Sequence, residues 1–270
     1  MENNSIKLFS LGLEELAMAL GLINRPDLGR QLILSIYEGI GEEEIDHRLT
    51  SASHSLLARG LVAISEKGSP ILENDLEKAL FPLARFDYIV QLSRIREGKQ
   101  ISATIHVQKG KLFTSHSIQA GVVHVLELGQ YKDLPDYLCD IFSAGAEEDK
   151  KSMEFEWMIS SGVLGETLRG ANDRSIVEVI KNAGVPLSDA KDLAADLAQQ
   201  TERGTILRVQ AGSELDVQTI PLAEKKMLML LSGEKRNWLF KFDSALDSAL
   251  GKVSVLNAGA FRKHLETFVL

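Results

Sequence analysis

The chain has 270 residues, 44% hydrophobic and 25% charged, with a formal net charge of −8 and a single cysteine; this length and apolar content support a sizeable core. No run of eighteen apolar residues occurs, and Met1–Ser10 lacks a charged-then-apolar leader pattern, so neither a membrane span nor export is expected and the cytoplasm fits. The lone Cys139 excludes an internal disulfide and a cysteine-based metal knuckle, while an acidic chain whose longest basic stretches are Lys150-Lys151 and Lys225-Lys226 is a poor general binder of nucleic acid.

The first part reads as helices. Leu13, Leu16, Ala17 and Leu20 recur at helical spacing within Leu11–Leu22, and Pro26 opens a second helix through Leu28, Leu32 and Ile36. A third spans Glu42–Arg59, with Ile45, Leu49, Ala52 and Leu56 on one stripe and leading glutamates suited to the positive end of the helix dipole. Leu61–Ile64, a turn at Lys67-Gly68-Ser69-Pro70 and Ile71-Leu72 form a short hairpin. Asn74 or Asp75 then caps a helix whose apolar stripe is Leu76, Ala79, Leu80 and Leu83. Three helices, a hairpin and a helix make a winged-helix-like segment.

From Asp87 the period becomes two. Tyr88–Arg96, the turn Glu97-Gly98-Lys99-Gln100, the alternating stretch Ile101–Gln108, then Leu112–Gln119 and Val122–Leu128 read as a four-stranded antiparallel meander. Pro135 opens a helix with Leu138, Ile141 and Phe142, and Ala144–Lys151 is the candidate linker.

The second half repeats this order. A short strand is expected at Met153, Phe155 and Trp157. Helices follow near Gly165, over Asp173–Ala183 with Gly184 as stop, and over Ser188–Gln200 with Leu193 and Leu197 inward. Strands follow at Thr205–Ala211, Glu214–Ile220, Lys226–Leu231 and Trp238–Asp243, and Asn257 caps a last helix through Phe261, Leu265 and Phe268. Ile105–Gly110 echoes Leu207–Gly212. The expectation is therefore one α+β domain over 1–270, with quasi-two-fold halves of about 1–145 and 152–270. Each half is an antiparallel meander with flanking helices, and the two share a central sheet.

Catalytic motifs are missing: there is no phosphate-binding loop, no His-Glu-x-x-His and no nucleophile elbow, and Gly162, Gly165 and Gly170 lack dinucleotide spacing. No cofactor and no enzymatic activity are expected. His106, His116 and His124 fall on neighbouring strands, but parity places His106 with Ser102 and Thr104 and the other two among apolar residues. Opposite faces, and no metal site, are expected. Glu154 and Glu156 read as a solvated strand face, and Cys139, beside Asp140, as structural. A DNA-reading helix would be Glu42–Arg59, yet its outward positions hold Glu43, Asp46, Thr50, Ser53 and His54, with only Arg48 and Arg59 cationic.

The order of elements resembles the EspG family, the cytosolic chaperones of type VII secretion substrates. The resemblance lies in Leu56–Val62 followed by a glycine turn and Leu76–Leu80, in the hairpin Tyr88–Gln108, and in Lys252–Leu265, similar to that family's closing strand and helix. One departure is Leu231–Trp238, which stands where the family often has an Asp-Thr-x-x-Gly-Arg-Tyr-like stretch. The resemblance implies a non-enzymatic adaptor that holds a helical secreted protein or protein pair, engaging it through the loop after the first long strand, here Glu97, Gly98, Lys99 and Gln100. The alternative is a winged-helix transcription regulator with an α+β sensor region.

Overall fold

The computed structural model describes residues 6–142, 153–160, 162, 164–165, 173–182, 184–210, 225–234, 236–244 and 250–270. In chain order its elements are β1 (Lys7–Gly12), α1 (Leu13–Leu22), α2 (Pro26–Ile36), α3 (Glu42–Ala58), β2 (Val62–Ile64), β3 (Pro70–Leu72), α4 (Asn74–Ala84), β4 (Tyr88–Arg96), β5 (Lys99–Gln108), β6 (Leu112–Gln119) and β7 (Val123–Gln130). There follow α5 (Leu134–Ile141), β8 (Met153–Ser160), α6 (Asp173–Asn182), α7 (Leu187–Ala198), β9 (Glu202–Gln210), β10 (Lys226–Ser232), β11 (Asn237–Phe242), β12 (Leu250–Leu256) and α8 (Ala258–Val269). The fold class is α+β with antiparallel strand pairing. By contacts the chain divides into two compact units, Met1–Asp87 with Ala103–Tyr131, and Tyr88–Ser102 with Lys132–Leu270.

In the first unit the strands run β1-β7-β6-β5, all antiparallel. The expected helix from Leu11 is corrected here: Lys7–Gly12 is a strand, and α1 begins only at Leu13. Phe9 pairs with Leu126 and Leu11 with His124. A segment with Leu8, Phe9, Leu11 and Leu13 carries both periods, and pairing with a distant strand decides between them. Glu15 marks the change by accepting a hydrogen bond from the Gly12 amide at 2.9 Å. The expected stripes point inward. Leu16, Leu20, Leu56, Leu76 and Leu80 form one core with Leu11 and Leu126, and Ile33 and Ile45 form another with Ala17. Each such side chain removed from water contributes about 1.5–3 kcal/mol. The cap of α4 is Glu73, which accepts from the Leu76 amide at 2.7 Å, rather than Asn74 or Asp75. That helix lies over the sheet, and the Thr114 hydroxyl donates to the Ala79 carbonyl at 2.7 Å.

In the second unit the order is β4-β9-β10-β11-β12-β8, again antiparallel. Strand β9 starts at Glu202, three residues before the expected Thr205. Trp238, Phe240 and Phe242 bury one face against Ala190, Leu193 and Leu197 of α7. The acids of α7 recur at 189, 192 and 196, on the same side as those apolar residues. Arg236 meets Asp189 at 3.1 Å and Asp192 at 2.8 Å, and Trp238 Nε1 donates to Asp196 at 2.8 Å. Asn257 caps α8 as expected, accepting from the Ala260 amide at 2.9 Å, with Phe261, Leu265 and Phe268 buried. At the other end of α8, two carbonyls without intrahelical partners receive side-chain donors: Arg208 reaches Phe268 O at 2.7 Å, and the Tyr88 hydroxyl reaches Val269 O. The expected linker 144–151 and strand 214–220, most of the helix near Gly165, and the last two residues of the Leu207–Gly212 echo lie outside the described residues.

Candidate partner-binding cleft

The β4–β5 turn has two central residues, Glu97 and Gly98, with φ of 51° and 73°. Positive φ at both is the signature of a type I′ turn, whose twist matches that of paired strands. Glycine adopts it freely, whereas glutamate does so at a cost.

Glu97 and Gly98 form one wall of a cleft of about 690 Å³ in the second unit. Register explains its other walls. Arg96 lies opposite Glu202, Glu202 opposite Ser232, and Ser232 opposite Asn237, so the ends of β4, β9, β10 and β11 finish at one level. The segment leading into β9 closes the cleft: the Thr201 amide and hydroxyl both donate to the Ser232 carbonyl, at 2.9 and 3.1 Å. Glu202 is only 2% exposed and is neutralised by Arg94, with Nε to Oε1 at 3.3 Å. Behind it, Gly233 runs so close to α7 that a Cβ there would come within 2.3 Å of the Asp196 carboxyl carbon.

Of the four residues expected from sequence, Glu97 and Gly98 line this cleft, while Lys99 and Gln100 open β5 and do not. Gln100 instead donates to Ser102 Oγ at 3.3 Å. The larger share of the lining, Gln200–Arg203 with Ser232, Gly233 and Asn237, carries no local signal of a site. Only pairing brings these three segments together. Ser232–Asn237 fell within the stretch where the sequence departs from the EspG pattern.

A second, shallower groove of about 470 Å³ lies between α1 and α3 in the first unit. Burial raises the carboxyls of Glu14 and Glu15, yet both end below the ordinary glutamate value because hydrogen bonds outweigh it. Tyr37 and Arg48 donate to Glu14, and Ser55, the Gly12 amide and Arg59 donate to Glu15. Both cations of α3 and its C-cap, Arg48 and Arg59, are thus engaged with carboxylates, and Glu42, Glu43, Glu44 and Asp46 are exposed beside them. That charge pattern opposes a phosphate backbone.

The histidines correct the sequence reading. Register pairs His106 with Thr114, Thr104 with His116, His116 with Leu126 and Ile118 with His124, so all three imidazoles share one face. Parity counted within each strand cannot reveal this, because pairing sets the phase between strands. His116 Nε2 and His124 Nδ1 are 2.8 Å apart, and the Phe86 ring meets His106 edge-on at 5.2 Å. Burial, then His116, lowers His106 to about 3; burial, then His124, lowers His116 to about 4. Among the described residues no group of three or more His, Cys, Asp or Glu is arranged to hold a metal ion. Burial, then Asp136, pushes the Cys139 thiol up to about 11, which keeps it protonated. Glu154 and Glu156 lie in β8, and their side chains are outside the described residues. No described helix is long and apolar enough to cross a membrane.

No protein-family profile matches the chain, and no curated protein matches it. Among solved structures, the type VII secretion chaperone EspG5 of Mycobacterium tuberculosis, determined in complex with a PE25–PPE41 dimer, is similar over 97% of this chain and 95% of its own, with a TM-score of 0.59 at 10% identity. The likeness expected from the order of elements is thus present in three dimensions, and the chain has an EspG-like fold.

Proposed function

We propose that this chain is a non-enzymatic chaperone or adaptor that holds a helical secreted protein, or a pair of them, in the cytoplasm before export. The observation that carries this reading is similarity over nearly the whole length to EspG5, which was solved with a PE25–PPE41 dimer bound. Local chemistry is consistent with it. The cleft at the ends of four strands is lined by a strained hairpin tip and by both apolar and charged side chains, and such openings suit a protruding tip of another protein. On this reading Glu97 and Gly98 contact the partner from the cleft wall, and Lys99 and Gln100 contact it from the first residues of β5.

The same reading takes the chain as a single quasi-two-fold domain whose halves, about 1–145 and 152–270, share a central sheet, with α1–α4 and the β2–β3 hairpin as a winged-helix-like segment reused for packing. The engagement of Arg48 and Arg59 by carboxylates favours this over DNA binding.

The test is co-expression with the products of the genes flanking its own, followed by size-exclusion chromatography with light scattering. A stoichiometric complex is expected, weakened when Glu97→Ala, Lys99→Ala and Gln100→Ala are combined. Separate elution at micromolar concentration, or a salt-dependent shift of duplex DNA at physiological salt, would overturn the proposal.

A further inference from the structure

The charges of the cleft do not balance internally. Glu202 is held by Arg94, and Arg96 lies 3.7 Å from Glu97. Arg203 also lines the cleft and is half-buried, yet among the described residues its side chain has neither an ion pair nor a hydrogen bond. A second donor in the same wall, the Ser232 hydroxyl, is buried without a partner among the described residues, even though the Ser232 carbonyl accepts twice from Thr201.

An arginine elsewhere in this protein is typically matched. Arg30 meets Glu42, Arg48 meets Glu14 and Glu44, Arg59 meets Glu15, Arg236 meets Asp189 and Asp192, and Arg262 meets Asp136. The Arg203 guanidinium keeps contact with water and is therefore available to an acceptor carried by a partner.

We infer that Arg203 is the specificity anchor of the cleft, and that it receives a carboxylate, an Asp or Glu side chain carried at the tip of the bound helical polypeptide. The inference rests on the proposed function, since it names the chemistry of the partner at that cleft. Three alternatives fit less well. A cationic side chain would be repelled by Arg203, and an apolar one would seal two donors away from water. A polyanion such as nucleic acid needs several cations in a row, and Arg94 and Arg96 are already engaged with Glu202 and Glu97. A single carboxylate matches one planar guanidinium with two parallel hydrogen bonds, and needs no extended basic surface.

The deciding experiment is panning of a displayed library of helical hairpins with randomised tips against the full chain, Arg203→Gln and Arg203→Lys, with the thermal midpoint of each variant measured to establish that it is folded. Enriched tips are expected to share an Asp or Glu at one position. Arg203→Gln is expected to weaken the best of them about tenfold or more, with Arg203→Lys recovering part, and Asp→Asn or Glu→Gln in the tip should cost a similar factor. Enrichment of tips with no shared acid, or unchanged binding of an acidic tip by folded Arg203→Gln, would overturn the role of Arg203 while leaving the chaperone reading standing. If no hairpin is captured by the unmodified chain, both fall together.

Discussion

His116 Nε2 and His124 Nδ1 sit 2.8 Å apart, with their rings nearly parallel and 5.1 Å between centroids. One nitrogen donates and the other accepts, so the contact exists only while the pair carries fewer than its full complement of protons. His106, on the same face, has a buried Nδ1 with no hydrogen-bond partner among the described residues.

All three rings are held below the ordinary imidazole value of 6.5, His116 at about 4 and His106 at about 3. The folded state therefore keeps them neutral while the unfolded chain takes up protons below about pH 6.5. Stability is greatest above that pH and falls as the pH drops toward about 4, by roughly 3 kcal/mol for each of His106 and His116. Urea titrations between pH 7.5 and 5 should show this slope before carboxylates titrate, and His116→Gln should flatten it. A flat profile in the unmodified protein would contradict the packing described.

Trp238 and Asp196 make a buried polar contact in the second unit, with Asp196 only 1% exposed. Asp196→Ala leaves the indole N–H without this acceptor and is expected to cost roughly 2–3 kcal/mol. Asp196→Asn retains an acceptor oxygen and should cost less. Chemical denaturation followed by tryptophan fluorescence distinguishes them; equal losses would mean that volume, not the hydrogen bond, matters there.

Glu97 holds a left-handed φ at the tip of the β4–β5 turn. Asparagine tolerates that geometry better and is preferred in this turn type, so Glu97→Asn should stabilise the protein by about 0.5–1 kcal/mol. If Glu97 serves the partner, the same change should weaken the complex. Thermal melting and a binding assay on one preparation give both numbers.

Arg208 stacks over the Tyr88 ring at 4.4 Å and donates to the Phe268 carbonyl near the end of α8. Arg208→Met keeps much of the aliphatic stem but removes the donor and the cation. A loss of roughly 1–3 kcal/mol is expected, with faster amide exchange over Glu266–Leu270 read by mass spectrometry. Unchanged protection there would show that the helix end does not depend on this cap.

Periodicity alone was enough for α1–α4, for β4–β7 and for α7 and α8, because their apolar stripes follow from spacing within a dozen residues. The inward positions of Leu56, Leu80, Leu193 and Phe261 were readable in this way. Asn257 as a cap was readable too, since the signal is local. The order of these elements by itself suggests an EspG-like fold, even though sequence identity to EspG5 is only 10%.

Tertiary structure decided the rest, and the physical reason is pairing between distant segments. Strand β1 exists because Leu11 finds His124, the three histidines share a face because register sets the phase between strands, and the cleft exists because Arg96, Glu202, Ser232 and Asn237 end level. No stretch of chain encodes such a relation by itself. The hydrogen bonds that establish it join residues far apart in sequence, and a slip of one residue would turn every one of those side chains to the other face.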